Sequence, residues 1–549
     1  MIGLETEYGL RRGPNDPVSE GDGWFDLIQS WFAERMPIAS ALHDKQRFFI
    51  ANGGCIGLEA SPSGDEKSGI VEAATPECRS PFELVAYQAA QDQMLAECLF
   101  DMDSTKSQAW IKNSGDAYSH VYGQHENYEL QIARSWRLLA WRLGLVCLLP
   151  QLIVYRFFAW IWLVMLAFVD RLARWRPRRD PFERLLKKKP RDWQAQSPQS
   201  LSPRMVRLGA KGLRYLHWPI AIQLHWLIRA FILVPHRRWM TGFFASRAVV
   251  DGSGHLDRHG SFWLSARAAS TNCVIGFGRY WNERPIFGTG HWLRSILVCQ
   301  SPTFTAWRRL FSRNQRVQVT LGDSTPNPRS QHLRIGATAL VFDLIEAGYH
   351  SGLPRFSSIV RGMKALSKDQ SMLRSVRDRQ RKTWNAIELQ RHYATSVRRF
   401  LTLLPNASHE ASEIVEQWQL TLDHLEEAEH DIECKRWLLG RVDWFSKRWL
   451  MDNAARTSSW AVQKKIDIKY HELSNHGYYH LLVQTLAIVP FVSPEQINRS
   501  MRLPPMGTPA TQRGYWIREF ADDQASLKVD WNSVEWTDEH SKLRKVELQ

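Results

Sequence analysis

Residues 143–169 read LGLVCLLPQLIVYRFFAWIWLVMLAFV, with Arg156 the only charge and Pro150 inside the run. No other feature limits the fold so strongly, because a stretch this apolar has to be shielded from water. A basic segment follows, RLARWRPRRDPFERLLKKKPR over 171–191. A Pro/Ser/Gln-rich linker at 195–203 leads to a second apolar stretch, WPIAIQLHWLIRAFILV over 218–234, which contains Arg229. Residues 137–235 therefore read as an apolar and basic helical insertion. Three covers for it are open. The first is a helical hairpin buried on the main body. The second is a hairpin on a membrane surface or shallowly inserted in it, which the Trp and Arg flanks and the adjacent basic run favour. The third is a membrane span, which needs roughly 20 apolar residues. The 13 residues on either side of Arg156 are too few alone, so a span requires Arg156 and Pro150 to be tolerated.

The remaining chain has a mixed α/β texture. Glu5 and Glu7 alternate, so a strand puts both on one face. RFFIANGG (47–54) reads as a strand ending in a glycine turn, and PFELVAYQAAQDQMLAECLF (81–100) as a helix with Leu84, Tyr87, Met94, Leu95 and Cys98 on one side. VQVTLGD (317–323) alternates as a strand, and GATALVFDLIEAG (336–348) is a helix ended by Gly348. At 549 residues more than one domain is expected. The boundaries read as 1–136 and 236–435 for two parts of one main domain around the 137–235 insertion, with a small C-terminal domain and tail over 436–549.

The net charge of +15 favours anionic partners. Nucleic acid is not expected, because the basic residues are not interleaved with a nucleic-acid motif. Seven cysteines, an odd number without metal-knuckle spacing, point to a reducing cytoplasmic compartment. GLETEYGL, directly after the first methionine, reads as a strand rather than as a leader. Membrane association through 137–235 stays open.

Five of the eight glutamates in the first 80 residues, Glu5, Glu7, Glu59, Glu72 and Glu77, cluster among strands, where glutamate is disfavoured. Carboxylates sharing a sheet concavity repel one another unless a cation lies between them. Mg²⁺ takes hard oxygen ligands and bridges phosphates, so a Mg–nucleotide site is one reading. Exposed glutamates on an edge strand are the other, and spacing alone does not separate them.

The blocks GLETEYG, NGG (52–54), EAATPECRSP (72–81), IKNSGDAYSHVYGQHENY (111–128), RPI (284–286), VTLGDS (319–324), LRIGATALVFDLIEAG (333–348), RVDWFSK (441–447) and DIKYHEL (467–473) run in the order found in Pup ligases and depupylases, which the chain resembles outside 137–235. The resemblance implies an α+β, glutamine-synthetase-like fold: a curved antiparallel sheet with helices behind it, and a small C-terminal domain. It implies ATP and Mg²⁺ as cofactors, a Pup-like modifier and lysine-bearing proteins as partners, and formation or hydrolysis of an isopeptide bond. By motif match, Glu5 and Glu72 are metal ligands, with Glu7 a further one. Thr75 and Trp444 are nucleotide contacts, His125 lies near the phosphates or metal, and Glu59 is the catalytic base. A catalytically degenerate adaptor and a membrane-tethered carboxylate–amine ligase with another substrate are the alternatives.

The chain also departs from the family pattern. Counting from Asn52, Cys55 stands where the family has arginine, Gly57 where it has tyrosine, and Glu59 where it has aspartate. One extra methylene can displace a carboxylate by about an ångström, which costs on the order of 100-fold where geometry is tight. In SPSGDEKSG, Asp65 or Glu66 is a candidate replacement, with a solvated turn as the other reading. After RPI the family's acidic and basic run is replaced by FGTGHWLRS, which makes Arg294 a candidate for the missing arginine. The short Gly9–Asn52 interval is closer to ligases than to depupylases.

Overall fold

A computed structural model describes residues 1–11, 24–42, 44, 46–59, 70–103, 107–118, 120–175, 203–297, 305–454, 459–523, 526–538 and 540–548. Asp65, Glu66, most of the basic run and most of the 195–203 linker lie outside these residues. The chain divides into two compact units. One comprises Met1–Leu130, Pro235–Thr289 and Arg316–Gln549, and the other Gln131–Val234 and Gly290–Gln315.

The first unit is built on a curled α+β sheet of thirteen strands among the described residues. The N-terminal part supplies β1 (Ile2–Arg11), β2 (Ile38–Ala41), β3 (Arg47–Ile50), β4 (Cys55–Glu59), β5 (Ile70–Ala74), β6 (Ala109–Ile111) and β7 (Gln124–Gln131). β8 (His255–Leu256) and β9 (Phe262–Trp263) form a separate hairpin. The sheet continues with β10 (Cys273–Gly276), β11 (Pro285–Gly288) and β12 (Asn314–Gly322). β13 (Val376–Arg377) and β14 (Thr383–Trp384) make a second small hairpin. β15 (Leu527–Asp530), β16 (Ser533–Thr537) and β17 (Leu543–Glu547) complete the large sheet. Its order is β10-β11-β12-β7-β1-β5-β4-β3-β2-β15-β16-β17, with β6 also on β1. The expected antiparallel pattern holds for most neighbours, but β10–β11 and β15–β2 are parallel. Residues 436–549 fall within this unit, because β15 adds to β2 and extends the same sheet.

β1 decides which face is which. Leu4, Thr6 and Tyr8 are buried, whereas Glu5 and Glu7 are only half-buried on the opposite face. Tyr8 donates to Asp92 at 2.6 Å, and Thr6 donates to Gln88 at 2.9 Å. Both partners lie on α2 (Pro81–Met102), the second helix after α1 (Trp24–Arg35). Pro81 opens α2, and Ser80 caps it by accepting from the Glu83 N–H. Leu84, Tyr87, Met94, Leu95 and Cys98 are all buried, as their spacing predicts. β1 is flanked by β5 on one side and by β7 and β6 on the other. It is thus an inner strand, which removes the edge-strand reading of Glu5 and Glu7.

Charges below the sheet are paired. Glu126 accepts from Arg247 at 3.1 and 2.9 Å and lies 3.4 Å from Arg334, and all three are nearly fully buried. Asp467 lies 2.7 Å from both Lys447 and Lys464, all three buried. Burial works against ionising Asp467, but the two ammonium groups hold its carboxyl well below the usual range.

The second unit contains the helical pair α3 (Ser135–Trp175) and α4 (Pro203–Phe231). Among the described residues one helix is long and apolar enough to cross a membrane, Ser135–Leu172, and only 17% of its most apolar window is buried.

Asp467→Asn should cost about 3–5 kcal/mol at pH 7 in urea unfolding, since it strands two buried lysines. Burial lowers His255 to about 4, against about 6.5 when unfolded. Between these values the unfolded chain binds the extra proton, so stability should fall as the pH drops from about 6.5 to about 4. Unfolding midpoints measured across that interval check this, and the slope should lessen in His255→Asn.

Candidate functional site

The strand register turns separate motifs into one surface. Glu7 is the cross-strand partner of Glu72, Glu72 of Gly57, and Gly57 of Arg47, so four strands place these residues in one row. In the next row His125 partners Glu5, Glu5 partners Ala74, and Ala74 partners Cys55. Glu59 shares its face of β4 with Cys55 and Gly57 by two-residue alternation. The structure therefore brings together Glu5, Glu7, Glu59, Glu72 and His125.

Electrostatics distinguishes the carboxylates. Burial, then Glu5, and further Glu59 and Glu7 raise Glu72 to about 7, although Arg47 pulls it down. Burial also opposes ionisation of Glu5, but Arg316, His125 and Arg47 outweigh it and keep that group well below the usual range. Arg316 donates to Glu5, Gln318 donates to it at 2.8 Å, and His125 Nδ1 lies 3.7 Å away. Glu7 accepts from the Gly123 N–H at 3.2 Å. Arg267 Nη2 lies 3.3 Å from His125 Nε2.

The donor set suits a hard divalent cation, since the crowded carboxylates leave Glu72 short of positive charge. Among the described residues no group of three acidic, His or Cys side chains is gathered as a ready-made metal cage.

Arg47 brings a guanidinium to this face from β3. Its Nη2 lies 3.6 Å from Glu72 Oε2. A Cβ at Gly57 would come within 3.0 Å of Arg47 Nε, so the glycine leaves the space that the arginine crosses. Cys55 sits beneath, its thiol pushed up to about 12 by burial in spite of Arg47. The proposed substitute Arg294 is exposed on the helix Gly290–Leu297 of the second unit, whereas Arg47 stands beside the carboxylates. The strand RFFIANGG was legible in the sequence, but the pairing of its Arg47 with Gly57 was not. Arg316 and Gln318 were likewise marked only by alternation along β12.

Other candidates lie elsewhere. Glu77 leaves the carboxylate group and binds the buried Arg513 at 2.8 and 3.0 Å, tying the C-terminal segment to the sheet. Thr75 is buried and its hydroxyl accepts from the Leu4 N–H at 3.0 Å. Trp444 is buried and its indole N–H donates to the Val249 carbonyl at 2.8 Å.

The curled sheet thus bears a row of carboxylates on its open face. The family model described as Pup-ligase protein matches residues 1–535, and the chain belongs to this family. It is 26% identical over 233 residues to the Pup–protein ligase of Renibacterium salmoninarum, covering 41% of this chain and 49% of that protein. It is 29% identical over 310 residues to the Pup deamidase/depupylase of Mycobacterium tuberculosis, covering 54% of this chain and 56% of that one. The matches thus span about half the length of these curated relatives. The fold is similar to that of the ligase PafA in complex with the prokaryotic ubiquitin-like protein Pup, with a TM-score of 0.64, 17% identity and coverage of 100% of this chain and 88% of that one. It is also similar to PafA in complex with ADP, with a TM-score of 0.59, 16% identity and coverage of 92% and 87%.

Arg47→Met should move the Glu72 titration upward from about 7, by on the order of one pH unit. Carboxyl ¹³C NMR of glutamate-labelled protein reads this directly; an unchanged curve would mean that Arg47 does not act on Glu72.

Proposed function

We propose that the chain is an ATP- and Mg²⁺-dependent enzyme of the Pup ligase type. It joins the C-terminal Glu or Gln of a small Pup-like modifier to a substrate lysine, or, run as a depupylase, hydrolyses that isopeptide bond. The observation that carries the reading is the cross-strand row Glu7–Glu72–Gly57–Arg47 beside Glu5 and Glu59, in a chain that matches its family model nearly end to end.

In the ligase direction ATP phosphorylates the side-chain carboxylate of the modifier's C-terminal glutamate and leaves as ADP. The lysine amine then attacks the acyl carbon and phosphate departs. Activation is needed because a free carboxylate is a poor acyl donor. Glu5, Glu7 and Glu72 would hold Mg²⁺, which supplies charge neutralisation at the transferring phosphoryl group. Glu59 is the base, since only the neutral amine attacks. His125, steadied by Arg267, and Arg47 line the same face and suit phosphate oxygens. Thr75 and Trp444 support the nucleotide site by fixing its walls through their bonds to Leu4 and Val249. The reducing, cytoplasmic setting inferred from the cysteines is part of the proposal.

The second reading, a catalytically degenerate adaptor of the family, is favoured by one observation: Arg316 and Gln318 already occupy Glu5.

Calorimetry of ATP binding with and without Mg²⁺ separates the two. The enzyme reading expects Mg²⁺-dependent binding that weakens at least about 10-fold in Glu5→Gln and Glu72→Gln. Glu59→Gln should still bind ATP but lose turnover of a Pup-like substrate by about 10²–10⁴-fold. No binding to the wild-type chain would leave the adaptor.

A further inference from the structure

The α3–α4 pair is closed on its inner side and uncovered on its outer side. Leu145, Leu148, Leu152, Ala159 and Leu166 form a buried stripe along α3. Around it Ile153, Phe157, Trp160, Val164 and Phe168 are each about half or more exposed. The interhelical contact is already saturated. Gln151 and Gln223 exchange amide hydrogen bonds at 2.8 and 2.7 Å, and Tyr155 lies 2.6 Å from His217 Nε2. A Cβ at Gly144 would sit 2.5 Å from Leu227, and one at Gly212 would sit 2.4 Å from Trp162, so glycine is what lets the helices approach this closely. Small residues with polar cross-links are the usual means of joining helices in lipid.

Charge identifies the cover. The exposed side of α4 combines Lys211, Arg214 and Arg229 with Tyr215, Trp218 and Trp226. That is the aromatic and basic composition of a headgroup layer. Residues 171–191 between the helices carry ten Lys and Arg against Asp180 and Glu183. An apolar protein partner would explain the outer face of α3 but not the basic surface next to it. Spanning is disfavoured too. The Tyr155–His217 and Gln151–Gln223 contacts put α4 beside the middle of α3, so a spanning pair would carry Lys211 and Arg214 into hydrocarbon.

We propose that this helical pair lies in the plane of an anionic membrane. The uncovered face of α3 sits among acyl chains, and Lys211, Arg214 and Arg229 sit at the headgroups. Arg156 reaches the same level by snorkelling along its aliphatic stem.

The test is flotation of the full chain with phosphatidylcholine vesicles, with or without phosphatidylglycerol. The protein should float with the phosphatidylglycerol vesicles. Binding should drop on the order of tenfold or more in the Lys211→Glu/Arg214→Glu/Arg229→Glu variant. It should be lost in Phe157→Asp/Val164→Asp/Phe168→Asp, with far-UV circular dichroism unchanged because these side chains face outward. Three results would overturn the proposal: no flotation with either vesicle, a stable lipid-free dimer that the Phe157/Val164/Phe168 variant dissociates, or cleavage of 176–202 by protease sealed inside the vesicles, which would mean a span.

Discussion

Everything at the carboxylate face depends on the antiparallel register of β1 with β5. Residue-by-residue pairing sets Glu7 opposite Glu72 and Glu5 opposite Ala74. A slip of one residue would turn Glu5 and Glu7 into the layer where Tyr8 and Thr6 meet α2, and expose Tyr8 instead. The hydrogen bonds of Tyr8 to Asp92 and of Thr6 to Gln88 therefore keep the glutamates on the open face as well as holding the helix. The chemistry on one side of the sheet is maintained by polar contacts on the other.

The same sheet carries opposite electrostatic conditions on its two faces. Behind it, Glu126 is neutralised by Arg247 and Arg334, with Tyr128 donating to it at 2.7 Å. A buried ion network of this kind adds little net stability, but losing one member is costly. On the open face the carboxylates outnumber nearby cations, and Glu72 shows the imbalance by rising to about 7. Among the described residues, Glu72 on the open face is the carboxylate that its neighbouring carboxylates push up, the opposite of the neutralised Glu126 behind the sheet.

Arg47 reaches the carboxylate face from β3, a placement that the motif positions do not show. The motif position that carries arginine in the family is Cys55 here, and the tyrosine position is Gly57. The lost side chain at 57 is what admits a guanidinium from β3. Two substitutions that look independent along the chain are complementary in space. Changed geometry, including the longer Glu59, is compatible with retained electrostatics.

Much of the fold was legible in the sequence. Alternation marked β1 and β12, a short apolar run before a glycine turn marked β3, helical spacing marked α2, and ordered motif blocks marked the family. Glu5 and Glu7 were legible as sharing a face by alternation, whereas Glu59, Glu72 and His125 were marked as candidates by the motif blocks they sit in. Glu77 was misplaced because its partner Arg513 is remote in sequence. Arg47, Arg316 and Gln318 were missed for the same reason: local periodicity tells which face a residue occupies, but not which strand lies beside it. Residues 436–549 looked separate because the β15–β2 pairing is invisible until the chain closes on itself. By itself the sequence determined the faces, the family and the presence of an apolar insertion. Tertiary structure alone decided the neighbours: which cation meets Glu72, which carboxylate holds Arg513, and which face of α3 stays uncovered. Charge and packing act through space, over distances that sequence separation does not encode.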